Sequence, residues 1–418
     1  MMAISVIVVL AGVLSCRAAT PDLRFGWNEV DYVWDSPTQR ESAIKSRHFL
    51  PEHNLPLGLA RWKNKLFVTV PRWKSGVVSS LNYVDIDGAK DQPLKPYPSL
   101  KDNYVEDTAK EIPSNSSIVS VFRVFVDACD RLWVMDSGLA DILGSPNQIT
   151  GPSIVIFDLN TDKLLHRYYL KVTDMKEDSF FANIVIDVDN ATCDNAFAYI
   201  PDLGGYGVVV YSLKQDDSWR VSHHYFHFEP LAGSFNVSGI EFHWTDGVFG
   251  LPDESFFFCC KFRFVFHEGL EAPTTDMKDS TKEFCVSTEL LRNYTHIDKN
   301  EAFHDFKLLG DRGEGTQASA SFYDVSTNVL FYTQVNRDGI GCWNSNKPYT
   351  PENNPLLFSD AELYEFPNDL KVDDEGTLWL LTDKLPRFVY RSLDSNELNY
   401  MIYSIKTKDL IKGTPCEN

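Results

Sequence analysis

An all-β fold, a six-bladed β-propeller around an axial channel, is what this sequence predicts. Three observations lead there: a degenerate strand–turn–strand repeat, further apolar strands after most of its copies, and enough apolar residues for a large core. The repeat is clearest where Asp369-Leu-Lys-Val-Asp373 passes through Asp-Glu-Gly into Thr377-Leu-Trp-Leu-Leu381. The same shape joins Arg123–Asp127 to Leu132–Met135, Asn183–Asp187 to Ala196–Tyr199, and Ala320–Asp324 to Val329–Tyr332. Weaker copies join Gly58–Trp62 to Leu66–Thr69 and Gly239–His243 to Val248–Leu251. Short runs rich in Val, Ile, Phe and Trp read as strands, and the Asp-, Asn- and Gly-bearing turns between them as hairpins.

Ser153–Phe157 and Gly207–Tyr211 are examples of the strands that follow, so each unit reads as a small sheet. Closing such sheets into a ring leaves few exposed edges, whereas the competing arrangement, an array of β-sandwiches, leaves more. The early segment Val30 to Trp34 is expected to complete the last blade. Of the 418 residues 43% are hydrophobic and 13% aromatic, which supports a packed core and argues against disorder.

Residues 1–18 read as a secretory signal peptide: an apolar run from Met1 to Leu14, too short to span a bilayer, followed by small residues, with cleavage after Ala18. Residues 19–418 then form one propeller domain, expected to be secreted and extracellular. The formal charge of -20, with no basic cluster, argues against nucleic acid as a partner. Acidity serves solubility first, and attraction of cationic amines second. Cleavage removes Cys16 and leaves seven cysteines, without a zinc-type pair. Glycosylation sequons begin at Asn115, Asn190, Asn236 and Asn293.

Six segments in order resemble the insect yellow/major royal jelly family. They are Pro71–Gly76, Arg131–Gly138, Asp202–Gly207, Trp244–Leu251, Gly341–Asn344 and Phe366–Val372. The similarity runs from about Trp27 to Cys416. The resemblance implies a six-bladed propeller, secretion, and a link to pigmentation, cuticle or saliva. The family includes amine binders, nutritive proteins and dopachrome-converting enzymes, so fold leaves function open. The aromatic segment 252–280 departs from the family pattern, and Cys259, Cys260 and Cys285 match no framework cysteine of the family. The resemblance implies a Cys129–Cys193 disulfide, which also suits equivalent turns of neighbouring blades on one face. Cys342 and Cys416 would then tie blade five to the C-terminal tail.

The first residue of each repeat copy is expected to open an inner strand near the axis. Gly58, Gly239 and Ala320 are small; Arg123, Asn183 and Asp369 are polar and need partners. On one reading Arg123 and Asp369 simply pair. On the other, the channel cradles an aromatic amine or a catechol-derived indole, with Asn183 bonding hydroxyls and Asp369 holding an ammonium. Phe181, Trp73 and Asn344 are placed in channel-end loops as further contacts. No standard catalytic signature is present. His223, His224 and His227 fall in a predicted strand, Val221 to Phe228, and two oxygen-bearing ring positions are too few for calcium. No metal and no cofactor is expected.

Three functions compete: a binder of amines or pigment intermediates, a dopachrome or dopaminechrome tautomerase with Asp369 and Arg123 as base and stabiliser, and a structural or nutritive protein.

Overall fold

The repeat unit is explained by the aspartate that ends its first strand. Asp127 accepts hydrogen bonds from the backbone N–H of Cys129 and Arg131, closing the turn. Its other oxygen takes Arg131 Nε and Trp133 Nε1, both at 2.7 Å. Asp373 repeats the pattern with the N–H groups of Glu375 and Thr377, with Trp379 Nε1 at 2.7 Å and with Arg61 of another sheet at 2.6 Å. Asp324 closes its turn through Ser326 N–H and the Thr327 hydroxyl. One carboxylate thus sets the hairpin and fixes the tryptophan of the next strand, which makes it a recurring feature of the sequence.

The computed structural model describes residues 19–103, 105–188, 192–250, 264–268, 280–294 and 303–418, and these form a β-propeller of four-stranded antiparallel sheets. The first sheet holds Leu59–Trp62, Lys65–Thr69, Leu81–Asp85 and Lys95–Pro96. The second holds Val121–Val126, Arg131–Asp136, Ser153–Asp158 and Lys163–Tyr169. The third runs through Val185–Asp187, Phe197–Asp202, Gly207–Ser212 and Asp217–Val221. The fourth comprises Val248–Gly250, Phe264–Glu268, Lys282–Val286 and Lys307–Asp311, with connections partly outside the described residues. The fifth holds Ser321–Asp324, Val329–Gln334, Gly339–Asn344 and Leu356–Ser359. In the sixth, Pro367–Val372, Thr377–Thr382 and Tyr400–Lys406 are joined by Asp22–Trp27 from the other end of the chain. Within each sheet the earliest strand is innermost, apart from this closing strand.

Closure differs from the expected one. Asp22 pairs with Ser404 and Trp27 with Tyr400, so the ring is closed upstream of Val30. In the expected segment Tyr32 instead makes an isolated parallel bridge to Leu94, just before the outermost strand of the first sheet, with its hydroxyl donating to Asn54. Phe25 and Trp27 are the buried side chains of the true closing strand, 1% and 3% exposed.

The fourth repeat copy is also misplaced by the sequence reading. Ser234–Val237 and Ile240–His243 form a separate hairpin, and Gly239 sits in its turn. Ser238 and Gly239 both take positive φ, 50° and 73°, as a two-residue hairpin turn of this hand requires. The innermost strand of the fourth sheet is Val248–Gly250, which had been read as the second strand. Similarly, the strand before the histidines stops at Val221; His223 Nδ1 accepts from Tyr225 N–H and begins a 3-10 turn over His224–Phe226.

Two disulfides join Cys129 to Cys193 and Cys342 to Cys416, with Cα separations of 6.0 and 6.2 Å. The first links hairpin turns of the second and third sheets; the second ties the fifth sheet to the tail. Cys285 is buried in Lys282–Val286, while Cys259, Cys260 and residues 1–18 lie outside the described residues. Asn115, Asn236 and Asn293 are exposed, and Asn190 lies outside the described residues. Among the described residues no helix is long and apolar enough to cross a membrane.

The Asp127 carboxylate supplies a direct test. Asp127→Ala should destabilise the protein by about 3–5 kcal/mol, because it leaves the buried Arg131 cation unpaired as well as opening the turn. Urea denaturation of parent and variant measures it; a loss under about 1 kcal/mol, the range of an exposed ion pair, would refute this role.

Candidate functional site

The inner strands approach one another so closely that side-chain size is restricted at their starts. A Cβ on Gly58 would lie 2.3 Å from the Phe122 carbonyl oxygen, so the first sheet can bring only a glycine there. Neighbouring sheets are laced by hydrogen bonds at this level. Thr69 Oγ1 donates to the Phe122 carbonyl, and Ser319 Oγ to the Pro367 carbonyl at 2.7 Å.

The polar residues of the axis meet in this crowded space. Arg123 lies 3.5 Å from Asp369, and both are buried. Arg123 Nη2 donates to the Asn368 carbonyl at 2.6 Å, and its guanidinium lies 4.1 Å from the centre of the Phe249 ring. Asp369 also accepts the Leu59 N–H at 2.9 Å, and Lys371 Nζ stands 3.5 Å from its other oxygen. Asn183 donates to the Phe249 carbonyl at 2.9 Å and accepts from Ile184 N–H. Burial pushes the Arg123 guanidinium and the Lys371 ammonium toward lower pKa, opposed in each by Asp369. The axis is therefore filled by a paired cluster, and the fourth sheet contributes Phe249 where Gly239 had been expected.

Asp383 extends this cluster and breaks a pattern. Asp136 and Asp202 end the second strands of their sheets, and each meets an arginine of the outermost strand, Arg167 at 3.5 Å and Arg220 at 2.7 Å. Asp383, just after the second strand of the sixth sheet, meets an amide instead: Asn368 Nδ2 at 2.6 Å, with Leu385 N–H at 3.1 Å. Burial raises its pKa well above the ordinary 3.8, against the pull of those hydrogen bonds and of Arg123. Burial thus shifts this carboxyl toward its protonated form, while both of its oxygens accept hydrogen bonds.

At the end of the axis where the inner strands begin, aromatic rings gather. Trp73 and Phe180 each stand edge-on to Phe122, at 5.1 and 5.0 Å between ring centres. Trp73 is half-buried, and its Nε1 has no hydrogen-bond partner among the described residues. Lys74 reaches from this loop to the Phe388 carbonyl, in the helix Leu385–Tyr390 that follows Asp383.

Of the expected contacts, Arg123, Asn183 and Asp369 are together at the axis and Trp73 is at its end. Phe181 is buried, bridging Asp202, and its neighbour Phe180 takes the place foreseen for it. Asn344 is elsewhere. It ends a third strand and donates to the Cys416 carbonyl and Asn418, anchoring the tail beside the disulfide. Sequence reasoning missed Asn368, Lys371 and Asp383. The first two lie inside the motif Phe366–Val372, while nothing periodic marks the third.

The profile described as Major royal jelly protein matches residues 119–416. "Dopaminechrome tautomerase" of Drosophila melanogaster is 37% identical over 405 residues, 94% of this chain and 84% of that protein. "Protein yellow" of Drosophila yakuba is 34% identical over 401 residues, 94% of this chain and 70% of that protein. Among solved structures, virginiamycin B lyase from Staphylococcus aureus aligns at a TM-score of 0.42 and 10% identity, over 84% of this chain and 94% of that one.

Two substitutions test the cluster. Asp369→Asn leaves two buried cations without their carboxylate and should cost about 3–5 kcal/mol on denaturation; a neutral result would show that the pairing is not structural. Asp383→Asn should act oppositely. The unfolded carboxyl releases its proton near 3.8 and the folded one does so much higher. The stability this group contributes is complete below that lower value and is lost as pH rises, at up to about 1.4 kcal/mol per pH unit. The amide should remove that slope and raise stability at neutral pH, as read from melting curves between pH 4 and pH 8; an unchanged slope contradicts the assignment.

Proposed function

Since the chain belongs to the major royal jelly protein family, we propose that it serves pigment chemistry by holding a small catechol-derived ring, such as an aminochrome, at the aromatic end of its axis. The observation that carries this reading is the group formed by Trp73, Phe122 and Phe180 beside the Asp383–Asn368–Arg123 network. Aromatic edges suit a planar ring, and the unpartnered Trp73 Nε1 suits a quinone or hydroxyl oxygen. Names of relatives point the same way, toward dopaminechrome and yellow.

What is recognised on this reading is the ring and its oxygens rather than an ammonium. Asp369 already serves Arg123, Lys371 and the Leu59 N–H, and an amine would have to displace them. Secretion belongs to the same proposal; two disulfides and three exposed sequon asparagines support it.

Tautomerisation is the second reading, and Asp383 favours it. The reaction moves a proton from ring carbon to oxygen without net redox change, so it needs a base and an acid. The buried Asp383 carboxyl, whose pKa burial pushes well above the ordinary 3.8, is the candidate acid. Purified protein mixed with dopaminechrome, followed by absorbance against a heat-killed control, separates the readings: saturable acceleration selects the enzyme, and saturable binding without turnover the carrier. In either case Trp73→Ala should weaken binding about threefold to tenfold, the worth of one aromatic contact. Undiminished binding by the folded variant, or no binding by the parent, rejects the site.

A further inference from the structure

Between the outermost strand of the third sheet, Asp217–Val221, and the innermost strand of the fourth, Val248–Gly250, lies the separate hairpin of Ser234–Val237 and Ile240–His243. This connection sits at the end of the axis where the inner strands begin. The hairpin alternates: Phe235, Val237, Ile240 and Phe242 are buried, whereas Asn236, Glu241 and His243 are exposed. A two-stranded ribbon is marginal alone in water, so its stability has to come from what its apolar face covers. That face belongs to the same apolar cluster as Phe122, Phe366 and Phe388, against which Trp73 and Phe180 also pack.

The hairpin is attached by side chains. Among the described residues no backbone–backbone hydrogen bond joins residues 234–243 to another element. Phe242 stacks on Tyr390 of the helix Leu385–Tyr390, with ring centres 5.5 Å apart. Trp244, just after the hairpin, donates Nε1 to the Tyr390 hydroxyl at 2.8 Å. Arg391 donates to the Gly239 carbonyl at 3.2 Å, and Asn336 from a loop of the fifth sheet accepts the Asn236 N–H at 3.0 Å. The root is tighter. Gly247 N–H donates to the Leu203 carbonyl at 3.0 Å, and a Cβ on Gly247 would lie 2.6 Å from the Phe226 carbonyl oxygen. The hairpin therefore runs from a fixed root beside the third sheet to side-chain contacts on the fifth and sixth, and in a ring of six the sixth stands across from the third. The helix Leu385–Tyr390 is a shared post, since its Phe388 carbonyl also takes Lys74, next to Trp73, at 2.9 Å.

We propose that this hairpin is a lid over the aromatic end of the axis, rooted at Gly247 and latched by Trp244 to Tyr390, and that its release admits a ring ligand. Undocking breaks no sheet. It parts one aromatic stack and a few side-chain hydrogen bonds, among them the one to Tyr390, which is exposed and whose hydroxyl water can serve instead. Closure returns the apolar face to its cluster and keeps water from a bound ring. Admission of a ligand rests on the reading of the Trp73 end given above; the lid itself does not.

Hydrogen exchange of the full protein, followed by mass spectrometry, tests the lid without a ligand. Peptides spanning residues 234–243 are expected to exchange at least about a hundredfold faster than those of the strand Thr377–Thr382, although the inner faces of both are buried. Tyr390→Phe deletes only the latch hydroxyl. It should speed exchange of the hairpin about fivefold, the worth of one hydrogen bond, while exchange of the sheets and the melting temperature stay as in the parent. Stopped-flow mixing with dopaminechrome then reads the gate, and its association rate should rise by the same factor in the variant. Hairpin exchange as slow as that of Thr377–Thr382, or unchanged by Tyr390→Phe, would overturn the lid. Faster exchange with an unchanged association rate would show that the ring enters elsewhere, which overturns the gate. If the parent binds no dopaminechrome, the reading of the Trp73 end falls, and hydrogen exchange alone decides the lid.

Discussion

At the centre of the ring a single carboxylate, Asp369, stands where three sheets meet. It belongs to the sixth, takes the Leu59 N–H from the first, and faces Arg123 from the second. Burying an ion is expensive, and such a charge persists only where several partners compensate its lost hydration. That requirement organises its surroundings. Gly58 must be small for the strands to come close enough, Asn368 must orient the guanidinium, and Phe249 must cover its face. A toroid with an empty centre could tolerate variation there; one whose centre is an ion cluster cannot.

The cluster also separates the two ends of the axis chemically. On one side stand Trp73, Phe122 and Phe180; on the other, the inner strands finish around Arg61, Lys371 and Asp373. Both ends draw on the strand Pro367–Val372, through Asn368 and Lys371. A change in the charge of either neighbour alters what Asp369 must balance.

How much of this was legible in the sequence depended on whether a residue acts locally. The turn aspartates were readable because Asp127 and Asp373 bond to groups within six residues, so pattern and cause share one window. Cys129 and Cys193 were readable because they occupy equivalent turns. Val30 to Trp34 and Ile240–His243 misled because alternation marks a strand without naming its partner. Gly239, expected to open a strand, lies instead with Ser238 in a hairpin turn. The site was harder still. Lys371 and Asp369 derive their state from Arg123, more than two hundred residues away, and Asp383 is set apart only by lacking the arginine that Asp136 and Asp202 possess. Phe180 and Phe181 exchange roles through one step of backbone, which no composition argument resolves.

The closing strand carries a consequence for biosynthesis. Asp22–Trp27 leaves the ribosome among the first described segments, yet its partner Tyr400–Lys406 is among the last. Throughout translation the early strand has no edge to join, and the five sheets between can form beside a ring that is still open. Sealing therefore waits until Tyr400–Lys406 has been made, and it closes a loop of more than 370 residues at an entropic cost that grows only logarithmically with its length. Until it happens, two unsatisfied strand edges face solvent, so the interval before sealing is when the protein most needs protection from joining the edge of another molecule.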